Sequence, residues 1–141
     1  MNIYIIYVIL AILLIIIDGT WIYINLKMYL DVAKKIQNKI HKTNMLYVII
    51  AYIFVLFSLY FVAIPLADTL KGKDLLYNAF MSGGCLGLSI YGIYNFTSIS
   101  LYEDYPIKVA ILDTLWGGLL YTIIIYIYLN IKNKTNKYVK I

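Results

Sequence analysis

Four apolar stretches, each long enough to cross a lipid bilayer as a helix, make up most of this 141-residue chain. They cover residues 3–26, 45–66, 75–101 and 107–131. A helix that crosses the hydrocarbon core needs ~20 apolar residues. Because a helix satisfies its own backbone groups in lipid, a strand interpretation is excluded. The pattern predicts an all-α integral membrane four-helix bundle with both termini on the same side of the membrane.

The low charge content excludes a soluble domain of this size. Hydrophobic residues make up 63% of the chain and charged residues 13%, whereas soluble domains average about 45–50% and about 25%. A soluble fold of this length could not bury so much apolar surface. We therefore expect one multi-pass transmembrane domain, residues 1–131, with the lipid bilayer as its partner.

The basic residues are all lysines, and most lie in the predicted loops and tail. The net charge of +5 involves no arginine, so the bidentate phosphate clamps that arginine forms are absent. This distribution favours contact of the loop lysines with anionic lipid headgroups, and no nucleic-acid partner is expected. Residues 132–141 are predicted to form a lysine-rich flexible tail.

The first connection, residues 27–44, has an amphipathic pattern. Its apolar residues Met28, Val32, Ile36 and Ile40 recur every four positions, while most of its lysines lie off that stripe. This period is typical of a helix that lies at the membrane surface, or of an extension of the first span. We expect an interfacial helix over residues 28–42, with a solvated loop containing some helix as the alternative.

Cysteine and histidine are too scarce for the common redox and metal sites. Cys85 is the only cysteine and His41 the only histidine, which excludes an internal disulfide and a multi-histidine metal centre. The sequence also lacks zinc-ligand spacing and a phosphate-binding glycine loop. Neither a metal nor a cofactor is predicted.

Two aspartates lie inside apolar stretches, and each is followed three residues later by a tryptophan. The motifs are Asp18-Gly-Thr-Trp21 and Asp113-Thr-Leu-Trp116. A carboxylate within a membrane span costs ~2.5–3.5 kcal/mol on insertion scales, and such residues commonly serve a function. Asp18 lies near the end of the first stretch and Asp113 near the start of the fourth, so both are expected in the same leaflet.

Helical periodicity brings further polar residues to the same depth. Residues three or four apart share a helix face, so Asn25 aligns with Asp18 and Trp21, and the end of the third stretch carries the most polar face. The second stretch offers only Ser58 and tyrosines and is interpreted as scaffold. The candidate intramembrane polar site comprises Asp18, Trp21, Asn25, Tyr91, Tyr94, Asn95, Thr97, Ser98, Asp113 and Trp116.

Glycines are concentrated in the third and fourth stretches. Small residues let membrane helices approach one another closely, and Gly83 and Gly87 have the four-residue spacing of such a contact. Helix packing is the role that we expect for Gly83, Gly84, Gly87, Gly117 and Gly118.

In their order and spacing, these motifs resemble the domain-of-unknown-function 2177 family of small predicted four-span membrane proteins. The resemblance covers nearly the whole chain up to the tail. It is carried by DGTW at 18–21, FVAIP at 61–65, YGIYNFT at 91–97, and YP at 105–106 followed by DTLWG at 113–117. The family pattern usually has aspartate at the position of Asn95 and asparagine at that of Ser98. The resemblance implies the fold and the polar cluster, and it implies no reaction.

The paired aspartates leave three functions open. One is the handling of a proton, a cation or a small polar solute, since neighbouring carboxyls can share a proton. Four spans leave little room for a complete path, so this function implies a homo-oligomer. Another is a structural or assembly role, in which the aspartates form a buried hydrogen-bond lock. The least favoured is an intramembrane enzyme acting on lipid, because no nucleophile with an activating base is present, and no catalytic residue is predicted.

Overall fold

The computed structural model describes residues 2–39, 43–72 and 74–139, with side chains as far as Thr135. In these ranges the chain is 88% helical and contains no strand, which confirms the all-α prediction. Five helices follow one another there: α1 (Ile3–Ile24), α2 (Leu26–Gln37), α3 (Met45–Thr69), α4 (residues 75–101) and α5 (Ile107–Val139).

Three of the described helices are long and apolar enough to cross a membrane. They are α1, α3 and the segment Ile107–Thr135 of α5. The predicted third span forms α4, which is long enough but is not among them. The glycines, serines and asparagines of α4 lower its hydropathy. With 12 residues, α2 is too short to cross.

The outer faces of the long helices are apolar, and so is the interior between them. Ile12 of α1, Phe54 of α3 and Leu115 of α5 are all exposed. Fully buried apolar side chains fill the interior, including Leu10, Leu14, Leu59, Leu120, Ile124 and Ile125. Since large apolar side chains cover both the core and the surface, the exterior suits hydrocarbon rather than water.

Both α3 and α4 contain one wider, π-helical turn. In α3 this turn is Leu59–Ala63 and directly precedes Ile64 and Pro65. Proline has no N–H to donate and crowds the carbonyl four residues earlier, so the helix must widen or bend there. The turn in α4, Phe80–Gly84, contacts the turn in α3. The two irregular turns therefore pack against each other.

Glycines allow α4 and α5 to pack closely. A Cβ atom at Gly87 would overlap the backbone of Gly117, and one at Gly83 would lie 2.7 Å from the carbonyl oxygen of Tyr121. On the other helix, Gly118 leaves space for the side chain of Leu88. A Cβ atom at Gly84 would overlap the side chains of Thr122 and Phe80. Along these contacts the residue numbers increase in α4 while they decrease in α5, so the two helices run antiparallel.

Two predicted segments differ in extent from the helices observed. A helix is present where one was expected over residues 28–42: α2 ends at Gln37, and its C-cap, Asn38, has a left-handed conformation with φ 51°. Residues 40–42 lie outside the described part of the chain. The segment predicted as a tail, residues 132–141, continues α5 as far as Val139. Lys132 in this extension pairs with Asp68 at 2.6 Å.

Replacing Gly87 by alanine tests the close approach of α4 and α5. The added methyl group meets backbone, which cannot rotate away, so we expect a loss of about 1–3 kcal/mol in the free energy of unfolding. Gly19→Ala is the matched control, since nothing lies within 4 Å of a Cβ atom there. It is expected to stabilise α1 by up to about 1 kcal/mol. Thermal unfolding in detergent measures both variants, and equal melting temperatures would contradict the packing role.

Candidate functional site

Asp18 is buried on α1 and is held by two neutral donors. Its side chain is 6% exposed. The hydroxyl of Tyr52 on α3 donates to Oδ2 at 2.8 Å, and the indole Nε1 of Trp116 on α5 donates to Oδ1 at 2.9 Å. Each carboxylate oxygen therefore has a donor, which offsets part of the cost of removing the charge from water.

Asp113 on α5 is held in the same way by two other helices. The hydroxyl of Tyr29 on α2 donates to Oδ1 at 2.6 Å. The side-chain amide of Asn95 on α4 donates to Oδ2 at 2.8 Å, and Asn95 is fully buried. The two aspartates thus connect all five described helices through side-chain hydrogen bonds.

Two relays of hydrogen bonds point towards Asp113. An indole N–H can only donate, so Trp21 Nε1 donates to the Tyr29 hydroxyl at 3.0 Å and leaves the Tyr29 hydrogen for Asp113. In the second relay, the Tyr105 hydroxyl donates to Asn95 Oδ1 at 2.7 Å, while the amide nitrogen of Asn95 faces Asp113. Both relays end on the carboxylate as an acceptor. We call the two aspartates and these donors the carboxylate network: Asp18, Trp21, Tyr29, Tyr52, Asn95, Tyr105, Asp113 and Trp116.

The two Asp-x-x-Trp motifs meet face to face. The rings of Trp21 and Trp116 are stacked, with centroids 4.3 Å apart and planes inclined by 5°. Because residues three apart share a helix face, each aspartate lies beside its own tryptophan. The bonds then cross between motifs: Trp116 donates to Asp18, and Trp21 reaches Asp113 through Tyr29.

Burial raises the pKa of two of the phenol donors above that of an ordinary tyrosine. Burial, and then the hydrogen bond to Asp113, raises the pKa of Tyr29 well above its ordinary value. Burial, followed by the nearby Tyr94 and Asp113, raises the pKa of Tyr105 to about 12. Both hydroxyls therefore remain available as donors throughout the physiological pH range.

Both carboxylates border the same cavity. It has a volume of about 210 Å³ and is lined by Asp18, Trp21, Ile22, Tyr29, Tyr91 and Asp113. Among the side chains that the structure describes, no group of three or more His, Cys, Asp or Glu could hold a metal ion. Two carboxylates beside a small cavity can bind a proton, a cation or a hydrogen-bond donor.

The structure brings some of the predicted site residues together and leaves others apart. Those that line the cavity or belong to the network are Asp18, Trp21, Tyr91, Asn95, Asp113 and Trp116. The side chain of Asn25 instead donates to the carbonyl of Trp21 at 2.9 Å, and that of Ser98 donates to the carbonyl of Tyr94 at 2.8 Å. Thr97 is exposed. Tyr94 does not line this cavity but lines a larger groove that also borders Asp18 and Asp113.

Three tyrosines of the network were missed by the sequence analysis. Tyr52 lies on the helix interpreted as scaffold, and Tyr29 lies on the amphipathic helix. With 16 tyrosines in the chain, no spacing separates these from the others. Tyr105 had a signal, because it precedes Pro106 in one of the motifs that carry the family resemblance.

Comparison with known proteins supports the resemblance found in the sequence. A family model described as a predicted membrane protein, DUF2177, matches residues 3–128. This is the family that the motifs resemble, so the predicted relationship is confirmed. The matched region contains every residue of the carboxylate network. No curated protein and no solved structure matches the chain.

Removing one donor tests whether the network stabilises the fold. Tyr52→Phe leaves Asp18 Oδ2 without its partner, and we expect it to lower the free energy of unfolding by about 1–3 kcal/mol. Tyr47→Phe on the same helix is the control, because that side chain is exposed. Its effect should stay within about 0.5 kcal/mol. Equal thermal unfolding of the two variants in detergent would show that the bond to Asp18 adds no stability.

Proposed function

The chain belongs to the DUF2177 family of predicted membrane proteins, and we propose that it binds a cation between Asp18 and Asp113 inside a membrane. Three helices compatible with membrane insertion support the location. The shared cavity of about 210 Å³ that both carboxylates border carries the proposal for the function.

The directions of the helices support four membrane crossings. Tyr60 of α3 donates to the carbonyl of Tyr7 of α1, and Tyr52 of α3 donates to Asp18 of α1. The residue numbers at these contacts increase along α1 while they decrease along α3. The two helices are therefore antiparallel, as are α4 and α5. With 27 residues at ~1.5 Å each, α4 is ~40 Å long and runs beside α5. A fourth crossing by α4 gives an integral four-helix bundle with both termini on one side.

The charge balance at the site favours a cation as the ligand. The only ion pair among the described side chains joins Lys132 to Asp68, so no described lysine pairs with Asp18 or Asp113. The donors that hold the two carboxylates are neutral side chains. A bound cation would compensate the charge of the buried Asp18 and of the half-buried Asp113, which are costly among apolar side chains.

The carboxylates also retain acceptor capacity. Each ionised carboxylate offers about four lone-pair positions. The described donors to Asp18 and Asp113 provide one hydrogen bond to each oxygen. The remaining positions suit a metal cation or an ammonium group, which brings positive charge as well as contacts. A proton shared between the two carboxyl groups would also neutralise part of their negative charge.

A structural lock is the second function, and the connectivity of the network favours it. The four bonds to the aspartates join α1 to α3 and α5, and α5 to α2 and α4. A network in which each carboxylate oxygen has a donor fixes a helix arrangement. Under this function the cavity is a consequence of packing and takes no ligand.

The setting proposed for either function is a lipid bilayer. Loop lysines would contact anionic headgroups. If the cation crosses the membrane, a homo-oligomer is required, because a bundle of four helices has little room for a complete path.

Cation binding is tested by the melting temperature of the detergent-purified protein in sodium, potassium and methylammonium chloride at constant ionic strength. A ligand at a hundredfold excess over its Kd stabilises the folded state by ~2.7 kcal/mol. We expect at least one cation to raise the melting temperature of the wild type and to leave Asp113→Asn unchanged.

Asp68→Asn is the matched control for this measurement. It makes the same chemical change at a carboxylate that pairs with Lys132 and lies outside the cavity. The cation response should survive in this variant. If no cation changes the melting temperature of the wild type, and Asp113→Asn greatly lowers the stability, the structural lock is supported and the binding site is rejected.

A further inference from the structure

A larger groove leads from the apolar exterior to the same two carboxylates. Its volume is about 630 Å³, within the range typical of ligand sites. Its polar lining residues are Asp18, Tyr52, Ser58, Tyr91, Tyr94 and Asp113. The remaining walls are apolar and come mostly from α3, with one residue each from α1 and α4: Val48, Ala51, Phe54, Val55, Phe57, Ile22 and Ile90.

The groove follows from the uneven packing of α3. From Leu59 onward α3 packs against α4 and α5, whereas Met45–Ser58 has few close backbone contacts with other helices. Side chains bridge the gap at two points. Tyr52 donates to Asp18, and Ser58 forms a short hydrogen bond with Tyr121. The space beside these bridges remains open along the first half of α3.

The mouth of the groove faces the apolar exterior. Phe54 is 69% exposed and Tyr94 is 62% exposed, and both line the groove. The exposed residues around them on α3, such as Ile50 and Ile53, are also apolar. In a membrane these surfaces lie in hydrocarbon, so a ligand that uses this groove arrives from within the bilayer.

We propose that the groove admits a cationic amphiphile, a molecule with a hydrocarbon chain and an amine headgroup, whose ammonium binds between Asp18 and Asp113. This inference rests on the proposed cation site and adds its ligand class and its route of entry. The hydrocarbon chain lies against Val48, Ala51 and Val55. Lipids with a phosphate headgroup are disfavoured, because their negative charge would approach two carboxylates.

Charge and chain have separate roles in this binding. The chain contributes little free energy inside the bilayer, since lipid tails are as apolar as the groove. It concentrates the ligand in the membrane, because each buried methylene group favours partitioning into the bilayer. The ammonium supplies the selectivity, because it donates hydrogen bonds and carries the charge that the carboxylates require.

A substitution at Ala51 can test the groove without changing the cation site. Ala51 is exposed and lines the groove, but it does not border the smaller cavity. Ala51→Phe would therefore obstruct the groove and leave the carboxylate network untouched. Ile53→Phe, at an exposed position of α3 outside the groove lining, is the matched control.

The experiment titrates dodecylamine into the protein in phosphatidylcholine nanodiscs and follows tryptophan emission. Both tryptophans of the chain are stacked in the network, so their emission reports on the site. We expect saturable changes in the wild type and in Ile53→Phe. Half-saturation should require at least about tenfold more amine in Ala51→Phe, and Asp113→Asn should not respond. Dodecanoate, with the same chain length and a negative head, should have no effect.

The outcomes distinguish failure of the inference from failure of the proposed function. If Ala51→Phe and the wild type give equal titrations while Asp113→Asn does not respond, the groove is not the route of entry, but the cation site stands. Equal responses to dodecylamine and dodecanoate would overturn the amine specificity. If the wild type responds neither to dodecylamine nor to methylammonium, both the inference and the cation site are wrong.

Discussion

The cost of holding a buried carboxylate, Asp18, and a half-buried one, Asp113, among apolar helices governs the arrangement of this protein. Charges removed from water are tolerated only when hydrogen bonds or counter-charges replace the lost solvent. Here Asp18 and Asp113 take donors from four separate helices. Because each donor has to reach a fixed oxygen, the helices cannot shift far without exposing a carboxylate to hydrocarbon.

Close packing by glycine places these donors at the required distance. Where Gly87 of α4 meets Gly117 of α5, the two helix backbones come into direct contact. Asn95 and Asp113 lie on the same two helices, towards the end of α4 and the beginning of α5, and their side chains meet at 2.8 Å. An extra methyl group between the helices would push them apart and lengthen the hydrogen bond between Asn95 and Asp113. Helix packing and the polar site are therefore coupled through one antiparallel interface.

Much of this fold could be predicted from the sequence because apolar length and helical period are local properties. The spacing of Asp18 and Trp21 indicates one helix face without any knowledge of the neighbours. Contacts such as Tyr29 with Asp113 join residues 84 positions apart, and a chain rich in tyrosine gives no local signal for them. The low hydropathy of α4 arises from glycines that contact α5 and from polar residues, of which Asn95 reaches Asp113 of α5, while Ser82, Ser89 and Ser98 donate to carbonyls of their own helix.

The bond from Tyr29 to Asp113 connects a short amphipathic helix, α2, mechanically to one of the two carboxylates. With 12 residues, α2 cannot cross a bilayer, yet it supplies one of the described donors to Asp113. Rolling or sliding of α2 would stretch that bond and leave the carboxylate less well solvated. The binding of amphipathic helices to a bilayer depends on its curvature and lipid composition. If α2 lies at the membrane surface, a change in the bilayer there would act through Tyr29 on the electrostatic potential around Asp113.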